Sequence, residues 1–323
     1  MNLFGLVACA AAPVAHPNVL LVVLDHVRAD RTSLTASRDT TPNIAKLATH
    51  GVVFDRAFAV STAPSPVYAA ALDDLGAQLW RAGYAASAFD GGETPDAALP
   101  VSLFDTAPPA AAWIAAHTQK PWFAYVRGGD ARPPFAQRGP FRHLYGSEGQ
   151  SLRTERIVAS APLLASLRGP APSVVLTAPE IAHIADHYDT ALTYGDLWIG
   201  VLLADIDLSR TVVIVVGETG EDLLDHPADS DPVADSTLRV PLVVAGPGFP
   251  AGVHRADAVS TLDVVATVRA VTGAAGATDA AGAGDPTAPG RSLLLPPAAN
   301  DIVAVDGAGR RHRRAATGEW AVE

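Results

Sequence analysis

The sequence predicts an α/β fold: a mostly parallel central sheet with helices on both faces and a small antiparallel piece at the C-terminus. Three observations carry this reading. Apolar runs such as NVLLVVLD (18–25) and TVVIVVGE (211–218) lack polar alternation, as strands buried on both faces do. Helix-period segments lie between such runs. At 323 residues, 49% hydrophobic and 18% charged, the chain can bury one full core.

After the first strand, TPNIAKLATHGVVF (41–54) puts Pro42 near a helix start, Ile44, Leu47 and Ala48 at helical spacing, and Gly51 as the stop. LDDLGAQLWRAGYAASAF (72–89) repeats the scheme: a helix through Leu75, Leu79 and Trp80, a terminator at Gly83, then a short strand. PWFAYVR (121–127), TVVIVVGE and VPLVVAGP (240–247) are further strands, and a long helix crosses 181–206. Alternation of this kind keeps most strands parallel, because each crossover helix returns the chain to the same end of the sheet. Residues 273–290 form an Ala/Gly/Pro linker, and 291–323 end in a short hairpin turning at Asp306 and Gly307. The main α/β domain is thus 17–272, preceded by a leader and spacer over 1–16.

A formal charge of −11 without a long Lys/Arg run argues against a nucleic-acid partner. The basic cluster GRRHRR (309–314) reads as a solvated strand or turn. Cys9 is the only cysteine, so no internal disulfide can form. LVAC (6–9) has the order of a bacterial lipoprotein processing site, although the leader lacks Lys and Arg and its apolar stretch is short. It supports a cell-envelope location with membrane attachment through a lipidated Cys9; a cytoplasmic chain with an unmodified N-terminus is the alternative. No uncharged apolar stretch approaches the ~20 residues a bilayer requires.

The first strand stops at Asp25, with His26 and Arg28 behind it. A carboxylate at the C-terminal tip of a buried strand stands where open α/β sheets place their chemistry. Taken with DTTPNIAKLATHGVVF, LWRAGYAASAF, KPWFAYV, HYDTALTYGDLWIGVLLADI, TVVIVVGETGE, LRVPLVVAGPGFPAG and GRSLL, in that order, the chain resembles the sulfatase family of the alkaline phosphatase superfamily from about residue 17 onward.

That resemblance implies a divalent cation held by carboxylates at two strand ends, activating a nucleophile at the start of a helix. It places Asp25, His26 and Glu218 at metal positions, Thr62 at the nucleophile, and Arg127, Arg132 and His226 where a substrate anion is met. The chain departs from the family pattern at most of them. Sulfatases oxidise the Cys or Ser of a Cys/Ser-x-Pro-x-Arg motif to formylglycine; Thr62-Ala63-Pro64-Ser65-Pro66 has Thr at that position and Pro in place of Arg. Oxidised threonine would be a ketone, so formylglycine chemistry is not expected. Glu218 is one methylene longer than the family's Asp, and Thr219 replaces an imidazole or amide ligand with a weaker one. Arg127 and Arg132 stand where histidines assist the leaving group, and a permanently charged guanidinium cannot shuttle a proton. The far end of the nucleophile helix and the loop beyond it are missing, as is a lysine after RAGY.

Plainer readings stand beside these: Asp25 as a structural carboxylate, His26 as a hydrogen-bonding side chain, Thr62 as a helix N-cap, and Arg28 and Asp30 as braces for the loop. Two functions follow from the resemblance. One is a catalytically silent or very weak sulfatase-like hydrolase that acts as a binding or scaffold module. The other is a divergent metal-dependent sulfate- or phosphate-ester hydrolase using Thr62, since a metal can turn threonine into an alkoxide. The second needs one cation of calcium, zinc or manganese type; the first needs none. An anionic ester or a glycan is the partner if the site is active.

Overall fold

The computed structural model describes residues 16–63, 65–91, 101–135, 139–141, 144–146, 149–168, 172, 174–224, 233–274, 290–298, 301–306, 308–315 and 320–322. The leader with Cys9, most of the linker, Gly307 and His226 lie outside the described residues. In chain order the elements are β1 (Asn18–Leu24), α1 (Pro42–Ala48), β2 (Gly51–Phe58), α2 (Pro66–Arg81), β3 (Ala85–Phe89), α3 (Leu103–Ala116) and β4 (Trp122–Gly128). There follow α4 (Leu152–Val158), α5 (Ala161–Leu167), α6 (Ala178–Leu203), β5 (Thr211–Gly217), α7 (Asp235–Leu238), β6 (Arg239–Val240), β7 (Leu242–Ala245), β8 (Val253–Ser260) and α8 (Thr261–Thr272). The chain closes on β9 (Ile302–Val305), β10 (Arg311–Arg314) and β11 (Trp320–Val322).

Among the described residues, the main sheet runs β3-β4-β1-β5-β7-β2-β6, with β8 added to β2. The contacts β3–β4, β4–β1, β1–β5 and β2–β8 are parallel, while β7 is antiparallel to both its neighbours. The apolar run of β1 explains its central place. Val19, Leu21 and Val23 join the core beneath α2 and α8, and Leu20, Val22 and Leu24 join the core beneath α1, α3 and α6. Period-two alternation thus supplies both faces at once.

Three local expectations change. The expected strand over 240–247 is two pieces, β6 and β7, because Pro241 cannot donate to a ladder; its carbonyl still accepts from the Gly217 N–H. Gly51 opens β2 rather than stopping α1. A Cβ there would fall 2.3 Å from the Val244 carbonyl oxygen, so the close approach of β2 and β7 requires glycine. The helix expected to begin near residue 72 begins at Pro66, since the Ala-rich stretch from Val67 favours helix and the single Gly76 costs too little to break it before Gly83, which sits at φ +89°. Leu75 and Leu79 face the core, whereas Trp80 is 73% exposed.

The C-terminal hairpin gains a third strand, making the antiparallel sheet β11-β10-β9. Its turn is built around Asp306, which accepts from the N–H groups of Ala308 and Arg310 and meets Arg310 Nε and His312 Nε2. A bridge between Ser61 and Val305 joins this sheet to the main body. No helix among the described residues is long and apolar enough to cross a membrane.

Candidate active site

The strand order puts β4, β1 and β5 side by side, and their C-terminal ends meet in register. Arg127 pairs with Val23, and Gly217 pairs with Leu24. Asp25 donates its N–H to the Gly128 carbonyl at 2.8 Å and Glu218 donates its own to Leu24 at 2.8 Å, so the ladder continues one residue past each strand. Val23 faces the α2 side, so Arg127, Asp25 and Glu218 converge beneath the N-terminus of α2.

The convergence has a definite centre. Arg127 Nε meets Asp25 Oδ1 at 2.9 Å, and its terminal NH2 meets Glu218 Oε2 at 2.9 Å. Arg132 stands 4.0 Å from Asp25 Oδ2. Asp25 and Glu218 are almost enclosed, whereas the Arg127 side chain is 30% exposed. A guanidinium therefore bridges the two carboxylates, so Arg127, expected to contact a ligand's anion, contacts anions of the protein itself. Glu218 also takes the main-chain N–H of Ser65, at the start of α2. Two phenols complete the surroundings. Tyr68 and Tyr125 are each held neutral by burial, which pushes both phenols up, and Tyr68 Oη has no hydrogen-bond partner among the described residues.

Burial is the main cause that pushes the Glu218 carboxyl up to about 7; the Asp25 charge adds to it and Arg127 opposes it. Asp25 lies within hydrogen-bond reach of Glu218, so the protonated form can donate to it. A carboxyl whose folded pKa lies above its unfolded value stabilises the fold fully below that unfolded value, near 4.5. The contribution is lost as pH rises through about 7. Glu218→Gln, neutral at every pH and able to donate to Asp25, should be at least as stable as the parent at pH 8. Its stability–pH curve, measured by urea unfolding, should be flatter between about pH 5 and 8. A variant curve as steep as the parent's would show that another group titrates there.

The remaining residues divide around this centre. His26, at φ +59°, points its Nδ1 to Glu221 at 2.6 Å; Glu221 is buried and is also paired with Arg168. The His26 carbonyl accepts from Tyr188 Oη, which accepts in turn from the Arg28 N–H, while Arg28 pairs with Asp30. Arg28 and Asp30 thus brace the loop, as the sequence implies. Thr62 donates its main-chain N–H to the Val305 carbonyl at 3.2 Å, and the cap of α2 is Ser65, three residues on. Thr219 is buried. Asp130, two residues before Arg132, caps α3 through Ser102 and the Leu103 N–H.

A cavity of about 470 Å³ opens at the opposite, N-terminal end of the strands, between Asn18, Lys120, Trp122 and Thr211, away from all these groups. Sequence reasoning passed over one cluster. Glu155 on α4 and His183 and His187 on α6 bring three potential metal ligands together. The signal was available in HIADH, a pair of histidines at helical i, i+4 spacing.

The sulfatase family model matches residues 17–83, which carry β1, Asp25 and Thr62. No curated protein matches the chain by sequence. The phosphonate monoester hydrolase of Agrobacterium radiobacter superposes with a TM-score of 0.66 at 19% identity, covering 95% of this chain and 89% of that one. A Bacteroides thetaiotaomicron protein, from a locus for the metabolism of multiple glycosaminoglycans, gives 0.63 at 16% identity over 93% and 85%. A protein solved with its substrate D-glucosamine-2-N,6-O-disulfate gives 0.63 at 14% identity over 95% and 91%. The sulfatase family model thus matches the N-terminal segment by sequence, and over almost all its length the chain shares the fold of these solved proteins.

Proposed function

We propose that this chain is a catalytically silent sulfatase-like module, which keeps the hydrolase fold and uses it for binding. The observation that carries the reading is the Arg127 guanidinium bridging Asp25 and Glu218. A divalent cation does not fit between these carboxylates while Arg127 stands there, since it would place a double positive charge against a permanent one in a buried site. Without a cation, none of the described groups at the site depresses the threonine hydroxyl's pKa toward an alkoxide. The permanently protonated Arg127 cannot take its proton.

Arg132, 41% exposed and only loosely associated with Asp25, is a charge that a ligand could meet. Solved proteins of this fold act on phosphonate monoesters and on a disulfated glucosamine, which supports an anionic ester or sulfated glycan as the partner. The lipoprotein-like leader around Cys9 supports an envelope location.

The alternative, a divergent ester hydrolase using Thr62, is separated by one experiment. Purified protein is assayed on p-nitrophenyl sulfate, a p-nitrophenyl phosphonate monoester and bis-p-nitrophenyl phosphate, with calcium, manganese or zinc. The expected rate equals that of Thr62→Ala on every substrate. Metal-dependent turnover that disappears in Thr62→Ala would overturn the silent reading.

A further inference from the structure

Where α4 meets α6, three side chains converge on one point. His183 and His187 project from adjacent turns of α6, and Glu155 reaches them from α4. His183 Nε2 lies 3.0 Å from Glu155 Oε1, His187 Nε2 lies 3.6 Å from the same oxygen, and the two Nε2 atoms are 3.1 Å apart. Both imidazoles are 3–4% exposed, while the Glu155 side chain is 35% exposed.

We propose that Glu155, His183 and His187 form a zinc-type metal site that fastens α4 to α6, separate from the Asp25–Glu218 site. The distances are those such an ion demands. Zinc holds nitrogen and oxygen ligands at about 2.0–2.2 Å in a tetrahedron, whose ligand atoms are then about 3.3 Å apart. The three atoms here lie on a circle of radius about 1.9 Å, so an ion at bonding distance sits just above their plane. The half-exposed Glu155 leaves an approach from solvent and room for a fourth, water ligand. Two imidazoles and one carboxylate suit zinc, rather than calcium or magnesium, which prefer oxygen.

The chemistry of the imidazoles agrees. A metal takes the neutral ring, and burial, together with the His183 beside it, pushes His187 down toward neutrality; Glu155 works against this. The second ring nitrogen of His187 is buried and closes no hydrogen bond among the described residues, and the Phe135 main chain lies within reach of the ring, the kind of outer partner that orients a ligating imidazole. The same segment ties the cluster to the candidate active site: the Phe135 N–H donates to the Val158 carbonyl at the end of α4, and Arg132 lies three residues before it. Fixing α4 against α6 would therefore steady the turn that presents Arg132.

The test begins with protein stripped by a chelator, gel-filtered, and titrated with zinc and, separately, with cobalt(II). The expected parent binds one equivalent, shows the visible absorption of tetrahedral cobalt(II), and melts at a higher temperature with zinc, because an ion bound only by the folded state adds RT ln(1 + [L]/Kd). Glu155→Gln, which removes a half-exposed ligand without opening the core, should weaken zinc at least about tenfold, and His187→Ala should do so further. Asp25→Asn should bind zinc like the parent. Three results would overturn the proposal: no bound equivalent in the parent, leaving the cluster as a hydrogen-bonded His–His–Glu relay; zinc affinity unchanged in Glu155→Gln; or zinc lost in Asp25→Asn, which would move the ion to the strand ends. Only the last would also count against the silent reading.

Discussion

Arg127→Gln should lose about 3 kcal/mol of folding stability at pH 8, the usual cost of removing one partner from a buried ion pair. The guanidinium is the cation that Asp25 and Glu218 share at 2.9 Å, and glutamine returns neither its charge nor its bidentate reach. Two nearly enclosed carboxylates would then face each other. The deficit should depend on pH with a definite sign. Burial and Asp25 already push Glu218 up to about 7, and losing Arg127 removes the larger opposing influence, leaving only the Ser65 N–H against them. Glu218 in the variant should therefore take up a proton more readily, and the deficit should shrink as the pH is lowered toward 5.

A second readout separates lost packing from lost charge. With the guanidinium gone, the carboxylate pair becomes an oxygen site of the kind calcium and manganese occupy, so calcium should raise the melting temperature of Arg127→Gln and leave that of the parent unchanged. Urea unfolding at pH 5 and 8, and thermal melts with and without calcium, check all three statements. A calcium response in the parent would mean that Arg127 yields its place to a metal.

Asp196→Ala should be comparably severe. This buried carboxylate on α6 accepts the main-chain N–H groups of Asn43 and Ile44 at 2.8 and 2.9 Å, together with Asn43 Nδ2 at 2.9 Å. Thr41, the N-cap of α1, makes no side-chain capping bond, so Asp196 supplies from a distant helix what a local cap normally provides. Alanine would leave the two main-chain donors without their acceptor at a buried contact, while Asn43 Nδ2 would keep the Asp196 carbonyl. Each unsatisfied buried group costs about 1–3 kcal/mol, and about 3 kcal/mol in total is expected, with the urea m-value unchanged. Asp196→Asn, which keeps one acceptor oxygen, should fall between. A loss below about 1 kcal/mol in the alanine variant would show that water replaces the carboxylate.

These residues mark where sequence reading succeeds and where it stops. β1, β4, β5 and α6 are legible because their periodicity comes from burial, which acts on every residue of an element. Asp25 and Glu218 are legible as strand-tip carboxylates because strand ends can be counted. The partner of Asp25 is not legible, since a guanidinium at position 127 reads equally as a ligand contact or an internal cation, and only the register of β4 against β1 turns it inward. His26 reaches Glu221 because of a left-handed backbone turn that no residue type announces. Asp196 as a cap for α1, and Glu155 as the third member of the His183–His187 cluster, depend on helices that meet only in the tertiary fold. The helix α2 is the converse case: the resemblance implies a shortened segment after residue 72, but the sequence does not announce one continuous helix from Pro66 to Arg81.

The bridge between Ser61 and Val305, with the Thr62 N–H on the Val305 carbonyl, has a consequence for how the molecule is made. The segment leading into α2 finds its pairing partner near the opposite end of the chain. Contacts so distant in sequence carry a large loop-closure cost and form late. During synthesis, which delivers the N-terminal part first, β1 can settle against β4 and then β5 while residues 61 and 62 still lack their ladder partner. That corner should be the last to acquire its final form on the ribosome, and a chain stalled before β9 should present an almost finished sheet with an open seam beside α2.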